Sequence, residues 1–247
     1  MCLLIVLRGV APEHPIVVAA NRDERTDRPA APPGLWVGTR HRMLSPRDRL
    51  AGGTWLAIDD RGRFAGITNI AGSPPVPEAP SRGHLPHLAL DEPDLDSAVA
   101  AVRERIAQHA HSAFQLVLCD ERRTVVMRHV AGRVSVIEWS PPALVVTNEH
   151  APGVLQLRGL AAAAAPAPAL EQRIEMLETV LRDRGGNGQH AVCKRGESYG
   201  TVSSSVLAIH ANDPRRLVWR YAPGPPDVTP YRNYGNLGRR LLPDDPT

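Results

Sequence analysis

The sequence predicts a mixed α+β fold of stacked, mainly antiparallel sheets, on three observations. Ten short β-type runs are spread over the 247 residues, at 3–7, 16–20, 54–58, 63–69, 114–118, 124–130, 134–139, 143–147, 201–210 and 217–221. Only two segments carry a helical period. Consecutive strands are joined by short polar turns of the hairpin kind. Many strands with few long helices make layered sheets.

The first run, Leu3-Leu4-Ile5-Val6-Leu7, is apolar on both strand faces, as is Leu116-Val117-Leu118, so both faces of their sheets must be covered. Run 16–20 follows across Gly9 to Pro15 and pairs with the first as a hairpin. Asp59-Asp60-Arg61-Gly62, Asp120-Glu121-Arg122-Arg123 and Ala131-Gly132-Arg133 are further hairpin turns, and 55–69 and 114–147 read as meanders. One helix holds Leu95, Val99, Val102 and Ile106 behind the capping Asp94; the other holds Leu170, Ile174, Leu177 and Leu181 behind an Ala/Pro stretch. Residues 71–94 and 148–169, rich in Pro, Ala and acids, are predicted surface loops or lids, and 236–247 a weakly ordered tail. The 24 prolines, about twice the usual ~5%, stiffen these connections. No boundary leaves two self-sufficient cores, so 1–235 is predicted to be one domain.

With 43% hydrophobic and 22% charged residues the chain can bury a full core, which excludes disordered and fibrous classes. Its longest apolar runs fall far short of the ~20 residues that cross a bilayer. The apolar start stops at Arg8 and lacks the architecture of a secretory signal, which predicts a cytoplasmic protein. A formal charge of +3, from 29 basic and 26 acidic residues interspersed along the chain, leaves no nucleic-acid footprint. The three cysteines, Cys2, Cys119 and Cys193, form no CxxC pair and suggest neither disulfides nor zinc. His84 and His87 stand in a Pro-interrupted loop without a carboxylate cluster, so no metal site is expected. Gly-x-Ser-x-Gly, G-x-G-x-x-G and P-loop motifs are absent, which removes the usual entry points for serine, dinucleotide and ATP chemistry. A small-molecule partner and no cofactor are the expectation.

Cys2 is the sharpest single feature. Methionine followed by a small side chain is the usual substrate for initiator removal, which would leave Cys2 carrying both a thiol and a free α-amine. Their reference pKa values of ~8.5 and ~7.7–8.0 put a reactive fraction of each at neutral pH, so the amine can take the thiol proton without any histidine. A small buried hydrophobe opening a strand is the alternative reading. Asn21-Arg22-Asp23-Glu24 directly follows run 16–20, and hairpin pairing brings it beside Cys2. A carboxylate there would hold and tune an N-terminal ammonium, and Arg or Asn could orient substrate or stabilise an oxyanion; a solvated charge run at a strand end is the blander reading, favoured for four such residues taken alone.

Asn69, in Gly66-Ile67-Thr68-Asn69, and Asn148, after Thr147, close apolar strands with amides suited to an oxyanion hole, although each also serves as a turn residue. Gly52-Gly53-Thr54-Trp55 enters a strand. Ser203 and Ser204, in Tyr199-Gly200-Thr201-Val202-Ser203-Ser204-Ser205, offer hydroxyls to a pocket or to strand-edge amides. Arg82, in Ser81-Arg82-Gly83, can meet an anionic substrate group.

Together these residues identify the chain as resembling the NRDE family, whose animal members are called transport and Golgi organization protein 2. The likeness runs from residue 2 to about 235 and is most specific at the Met-Cys start and at Asn21-Arg22-Asp23-Glu24. That family resembles the N-terminal-nucleophile hydrolases, whose cysteine members include penicillin V acylase and bile salt hydrolase. The resemblance implies a four-layer αββα sandwich and an acyl-thioester mechanism on a C–N amide bond. It makes Cys2 the nucleophile, Asp23 the partner of its amine and Asn148, with Asn69 as a looser match, the oxyanion hole; from the residues themselves, Arg22 is expected to order the amine with Asp23, and Asn21, Trp55, Arg82, Ser203 and Ser204 are expected substrate contacts. The chain departs from the acylases at Ala20, where they carry Arg, and from other NRDE members at Val202, where Arg is common. Haem handling by some animal members supplies the rival expectation, a non-catalytic carrier of haem or another hydrophobic ligand.

Overall fold

The computed structural model describes residues 2–153, 157–166, 168–186 and 191–242. β1 (Leu3–Arg8) and β2 (Ile16–Arg25) form the predicted hairpin, with Leu3 opposite Asn21 and Arg8 opposite Ile16. Gly9 turns the chain at φ 69°, and its N–H donates to Pro15 O at 2.8 Å. Around this pair a six-stranded sheet assembles from β10 (Ala143–Thr147), β11 (Tyr199–Ile209), β12 (Val218–Ala222) and β13 (Arg232–Asn233), in the order β10-β1-β2-β11-β12-β13. A seven-stranded sheet runs in chain order through β3 (Ala30–Val37), β4 (Arg42–Asp48), β5 (Leu56–Asp59), β6 (Phe64–Asn69), β7 (Phe114–Cys119), β8 (Thr124–Val130) and β9 (Arg133–Trp139). Every ladder between these strands is antiparallel.

Strand alternation sorts the apolar residues into three cores. Leu4, Val6, Val18 and Leu207 meet Leu44, Phe64 and Val117 between the sheets. Leu3, Ile5, Val17 and Val206 pack beneath α3 (Leu160–Ala164) and α4 (Leu170–Arg182). Ala65, Leu116 and Met127 pack beneath α1 (Leu85–Leu90) and α2 (Leu95–Gln108), the latter capped by Asp94, whose Oδ1 accepts from Ser97 N at 2.7 Å. The result is the αββα sandwich, with strands apolar on both parities because both faces of each sheet are covered.

Several expectations are corrected. Run 143–147 leaves the 114–147 meander and joins the other sheet, where Val145 pairs with Ile5. The hairpin 30–48 was unexpected because Pro32, Pro33 and Pro46 argue against strands. The structure tolerates Pro32 and Pro33 on an edge strand, β3, and Pro46 on β4 opposite the register shift between Ala31 and Gly34, which absorbs the missing donors. The presumed loop 71–94 contains α1, whose Pro86 falls in the first turn, where no N–H is needed. The 148–169 connection contains α3, while 154–156 and 167 lie outside the described residues. The expected loose tail is a 3-10 helix over Gly235–Leu241 whose Leu241 is buried in the inter-sheet core; 243–247 lie outside the described residues. No described helix is long and apolar enough to cross a membrane.

Candidate active site

The strand β2 runs on past the apolar residues 16–20 as far as Arg25, so Asn21, Arg22, Asp23 and Glu24 are strand, not the loop after it. Alternation then divides them, Asn21 and Asp23 on one face and Arg22 and Glu24 on the other. Leu3 pairs with Asn21 on one side and with Thr147 on the other. Cys2, one residue earlier, therefore stands at the rung between Arg22 and Asn148. On the far side of β2 the register shifts between Thr201 and Ser203, which places Thr201 against Asp23 and Ser203 against Arg22.

Cys2 is half-buried and its Sγ lies 3.3 Å from Asp23 O, to which Tyr199 also donates its hydroxyl at 3.0 Å. The Asp23 carboxylate accepts from Thr201 Oγ1 at 2.7 Å, and Thr201 Oγ1 in turn accepts from Lys194 N at 2.9 Å. In front of the thiol is a cavity of about 110 Å³ whose walls include Cys2, Arg22, Asp23, Trp55, Asn69 and Arg82. Gly83 is on its wall, and Gly53 packs against the Gly83 backbone so closely that a Cβ at Gly53 has no room; Thr54 N donates to Gly83 O at 2.8 Å. Ser81 caps the short 3-10 turn Arg82–His84 by accepting from Gly83 N at 3.2 Å.

A charge network lines the cavity. Arg22 donates Nη2 to Asp48 Oδ2 at 3.1 Å and lies 4.4 Å from the Trp55 ring centroid. Arg28 Nε shares Asp48 Oδ2 at 2.7 Å, and Glu24 lies 3.8 Å from Arg22 and 3.7 Å from Arg28. Asp48 also accepts from the N–H groups of Leu50 and Ala51. Burial alone would raise the Asp48 carboxyl, but these amides and Arg28 outweigh it and hold the group below the usual carboxylate range. Asp23 goes the other way: burial raises it, against the opposing Thr201 hydrogen bond. Burial, reinforced by the charge of Asp23, pushes the Cys2 thiol up to about 11. A thiol held there is a weak nucleophile at neutral pH until a base takes its proton.

Of the residues singled out from sequence, the structure gathers Cys2, Arg22, Asp23, Trp55, Asn69 and Arg82 around one cavity. Asn148 shares the Cys2 rung but is not on the cavity wall; its backbone O accepts from Ala71 N at 2.7 Å, and its side-chain Oδ1 is buried with no hydrogen-bond partner among the described residues. Asn21, Ser203 and Ser204 are not on the cavity wall. Asn21 Nδ2 donates to Leu181 O and Val192 O at 2.9 and 3.1 Å, tying β2 to the end of α4. Ser204 Oγ meets Tyr231 Oη at 2.7 Å. Ser203 is buried beside Arg22 in the ladder. Sequence reasoning did not single out Arg28, Asp48, Tyr199, Thr201 or Lys194. Asp48 and Arg28 flank a hairpin hidden by its prolines; the alternating hydroxyls of 199–205 were the visible trace of Thr201. Among the described residues no group of three or more His, Cys, Asp or Glu side chains converges as a metal site.

The family model described as Transport and Golgi organisation 2 matches residues 1–191. The Transport and Golgi organization 2 homolog of Mus musculus is 27% identical over 240 residues, covering 80% of this chain and 83% of its own. The Bos taurus homolog is 34% identical over 108 residues, 42% of this chain and 38% of its own. Among solved structures, the Caenorhabditis elegans N-acylethanolamine-hydrolyzing acid amidase ortholog aligns with a TM-score of 0.55 at 12% identity, over 84% of this chain and 92% of that one. A variant of conjugated bile acid hydrolase from Clostridium perfringens aligns with a TM-score of 0.51 at 9% identity, over 94% of this chain and 96% of that one. At such identities the likeness is one of fold.

Proposed function

Because the chain belongs to the Transport and Golgi organisation 2 family and has the fold of the N-terminal-nucleophile hydrolases, we propose that it is an N-terminal-cysteine amidohydrolase or acyltransferase working through Cys2. The observation that supports this reading most directly is the placement of the Cys2 thiol on a cavity wall with Asp23 at its back. Once Met1 is removed, the α-amine of Cys2 stands beside its own thiol and near the Asp23 carboxylate. A cationic amine lowers the thiol pKa, and in its neutral form the amine accepts the thiol proton. The thiolate attacks the amide carbonyl, the C–N bond breaks as the amine returns the proton to the leaving nitrogen, and an acyl-thioester forms. Water, or a second amine, then releases the acyl group and restores the thiol.

The surrounding residues divide the remaining work. Thr201 fixes the Asp23 carboxylate, and Tyr199 with Cys2 converges on the Asp23 carbonyl. Asn148, on the Cys2 rung, and Asn69, on the opposite wall, are the candidate donors to the tetrahedral oxyanion. Arg22, fixed by Asp48 and Trp55, stiffens the strand end that carries Asp23.

The test is chemical. Intact-mass spectrometry is expected to show a chain lacking Met1, and iodoacetamide is expected to label Cys2 ahead of the fully buried Cys119 and Cys193. Cys2→Ala is expected to abolish turnover of any amide substrate while leaving the fold intact. Retention of Met1 in the active protein, or turnover by the Cys2→Ala variant, overturns the mechanism.

A further inference from the structure

Three guanidiniums reach the cavity in front of Cys2, and they are not equivalent. Arg22 and Arg28 both donate to Asp48 and lie within salt-bridge distance of Glu24, so their charge is balanced inside the protein. Arg82 is half-buried on the same wall, donates Nη1 to the Ala113 carbonyl at 2.7 Å, and among the described residues has no carboxylate partner. Its other nitrogens are not sealed in the protein, since none is among the buried polar atoms that lack a partner. Removing a guanidinium from bulk water without an ion-pair partner is unfavourable. The backbone nonetheless fixes it there: Ser81 caps its turn, and the close approach of Gly53 to Gly83 locks the segment against the start of β5. Glu24 acts on Arg82 only at longer range, so a guanidinium fixed at one nitrogen, open on its other side and without an ion-pair contact is suited to an anion that arrives from solution.

We propose that the Cys2 cavity selects substrates carrying a carboxylate close to the scissile carbonyl, and that Arg82 is the residue that binds this carboxylate. Cys2 and Arg82 line the same cavity, so a carboxylate held by Arg82 lies close to the carbonyl that Cys2 attacks. The planar fork of a guanidinium matches two carboxylate oxygens, and with Nη1 held by Ala113 O the remaining donors keep a single orientation. The inference rests on Cys2 as the nucleophile proposed above, and the two can fail separately.

Iodoacetate and iodoacetamide form a matched pair of probes, almost equal in size and differing in charge. In each case the Cys2 thiolate displaces iodide, an S–CH2 bond forms, and the thiol proton passes to the amine or to solvent. On the Met1-free protein at constant ionic strength, labelling of Cys2 by iodoacetate is expected to saturate with reagent concentration and to be the faster at low concentration. Arg82→Gln is expected to slow iodoacetate labelling roughly 10- to 100-fold, the range that follows from losing a charge-assisted hydrogen bond, and to leave iodoacetamide labelling near its original rate. Arg82→Lys is expected to recover part of the preference as a point charge. Equal slowing of both reagents would mean that Arg82 acts on the thiolate and would overturn the proposal; so would an unchanged iodoacetate rate in Arg82→Gln. Failure of both reagents to label wild-type Cys2 counts against the nucleophile instead. The carboxylate site is then read directly from the thermal shift given by propionate relative to propionamide, expected in wild type and lost in Arg82→Gln, with equal shifts overturning it.

Discussion

The two faces of one four-residue stretch behave differently. On one face of β2, Asn21 spends its amide on Leu181 O and Val192 O, and Asp23 accepts from Thr201, so both hold strands and helix together. On the other, Arg22 and Glu24 belong to an ion network that opens on the Cys2 cavity. A period of 2 separates the structural Asn21 from the site-facing Arg22 and Glu24 within a motif that is contiguous in sequence, while Asp23, on the face of Asn21, also lines the cavity. Asp23 bridges the two: its side chain belongs with the first face and its carbonyl meets the Cys2 thiol. The lesson is that a motif of neighbours need not act as one unit.

Substitutions on the two faces test this division. Asp23→Asn preserves shape and hydrogen bonding to Thr201 while removing the charge that would hold the Cys2 amine. The expectation is a loss of about 10²–10⁴-fold in turnover of an amide substrate, with little change in thermal unfolding. A variant as active as wild type would reduce Asp23 to a structural role. Asp48→Asn strikes the cavity face by stripping the buried Arg22 of its charge partner, which is expected to cost about 3 kcal/mol in denaturant unfolding. If stability is unchanged, the network is a surface feature and the contrast between faces disappears.

Asn21→Ala leaves two buried carbonyls without their donor, an expected loss of about 1–3 kcal/mol in stability. Cys2 alkylation in this variant is expected to keep its wild-type rate; a large fall would show that Asn21 serves the site. The smallest effect is in pH dependence. In a chain that keeps Met1, with the Cys2 thiol at about 11, the alkylation rate should climb about tenfold per pH unit across the neutral range, because only the thiolate reacts. Removal of Met1 puts the ammonium beside the thiol and favours the charged form, so the profile should level off at lower pH. Superimposable profiles for the two forms would remove the amine from the mechanism.

Much of the fold was legible because burial on both sides leaves a plain signature. Leu3 to Leu7 and Leu116 to Leu118 announce covered sheets, and Asp94 announces the start of α2. The β3–β4 hairpin was not legible, since Pro32, Pro33 and Pro46 are the residues that local rules use to deny a strand. Only the pairing, with β3 at an edge and a register shift opposite Pro46, shows how the ladder does without their N–H groups. The 3-10 helix at Gly235–Leu241 was hidden for a similar reason: its anchors, Leu241 and the partly buried Leu237, pack into a core made by distant strands. In the site, Cys2, Arg22, Asp23, Asn69 and Arg82 could be proposed from residue type and strand ends, whereas Asp48 could not, because its role depends on a hairpin that local sequence conceals.

By itself the sequence determined the layered sheets, the hairpin that returns 21–24 to the first residues, and a lone thiol at position 2, because each rests on local periodicity, turn chemistry or residue type. Tertiary structure decided which face each of those residues occupies and what it meets there. Strand alternation has a known period, but its phase is set by the core on either side. That phase turned Asn21 toward α4 and Arg22 toward the cavity, and the 3-10 turn at Arg82–His84 brings Arg82 onto the wall of the same cavity as Cys2.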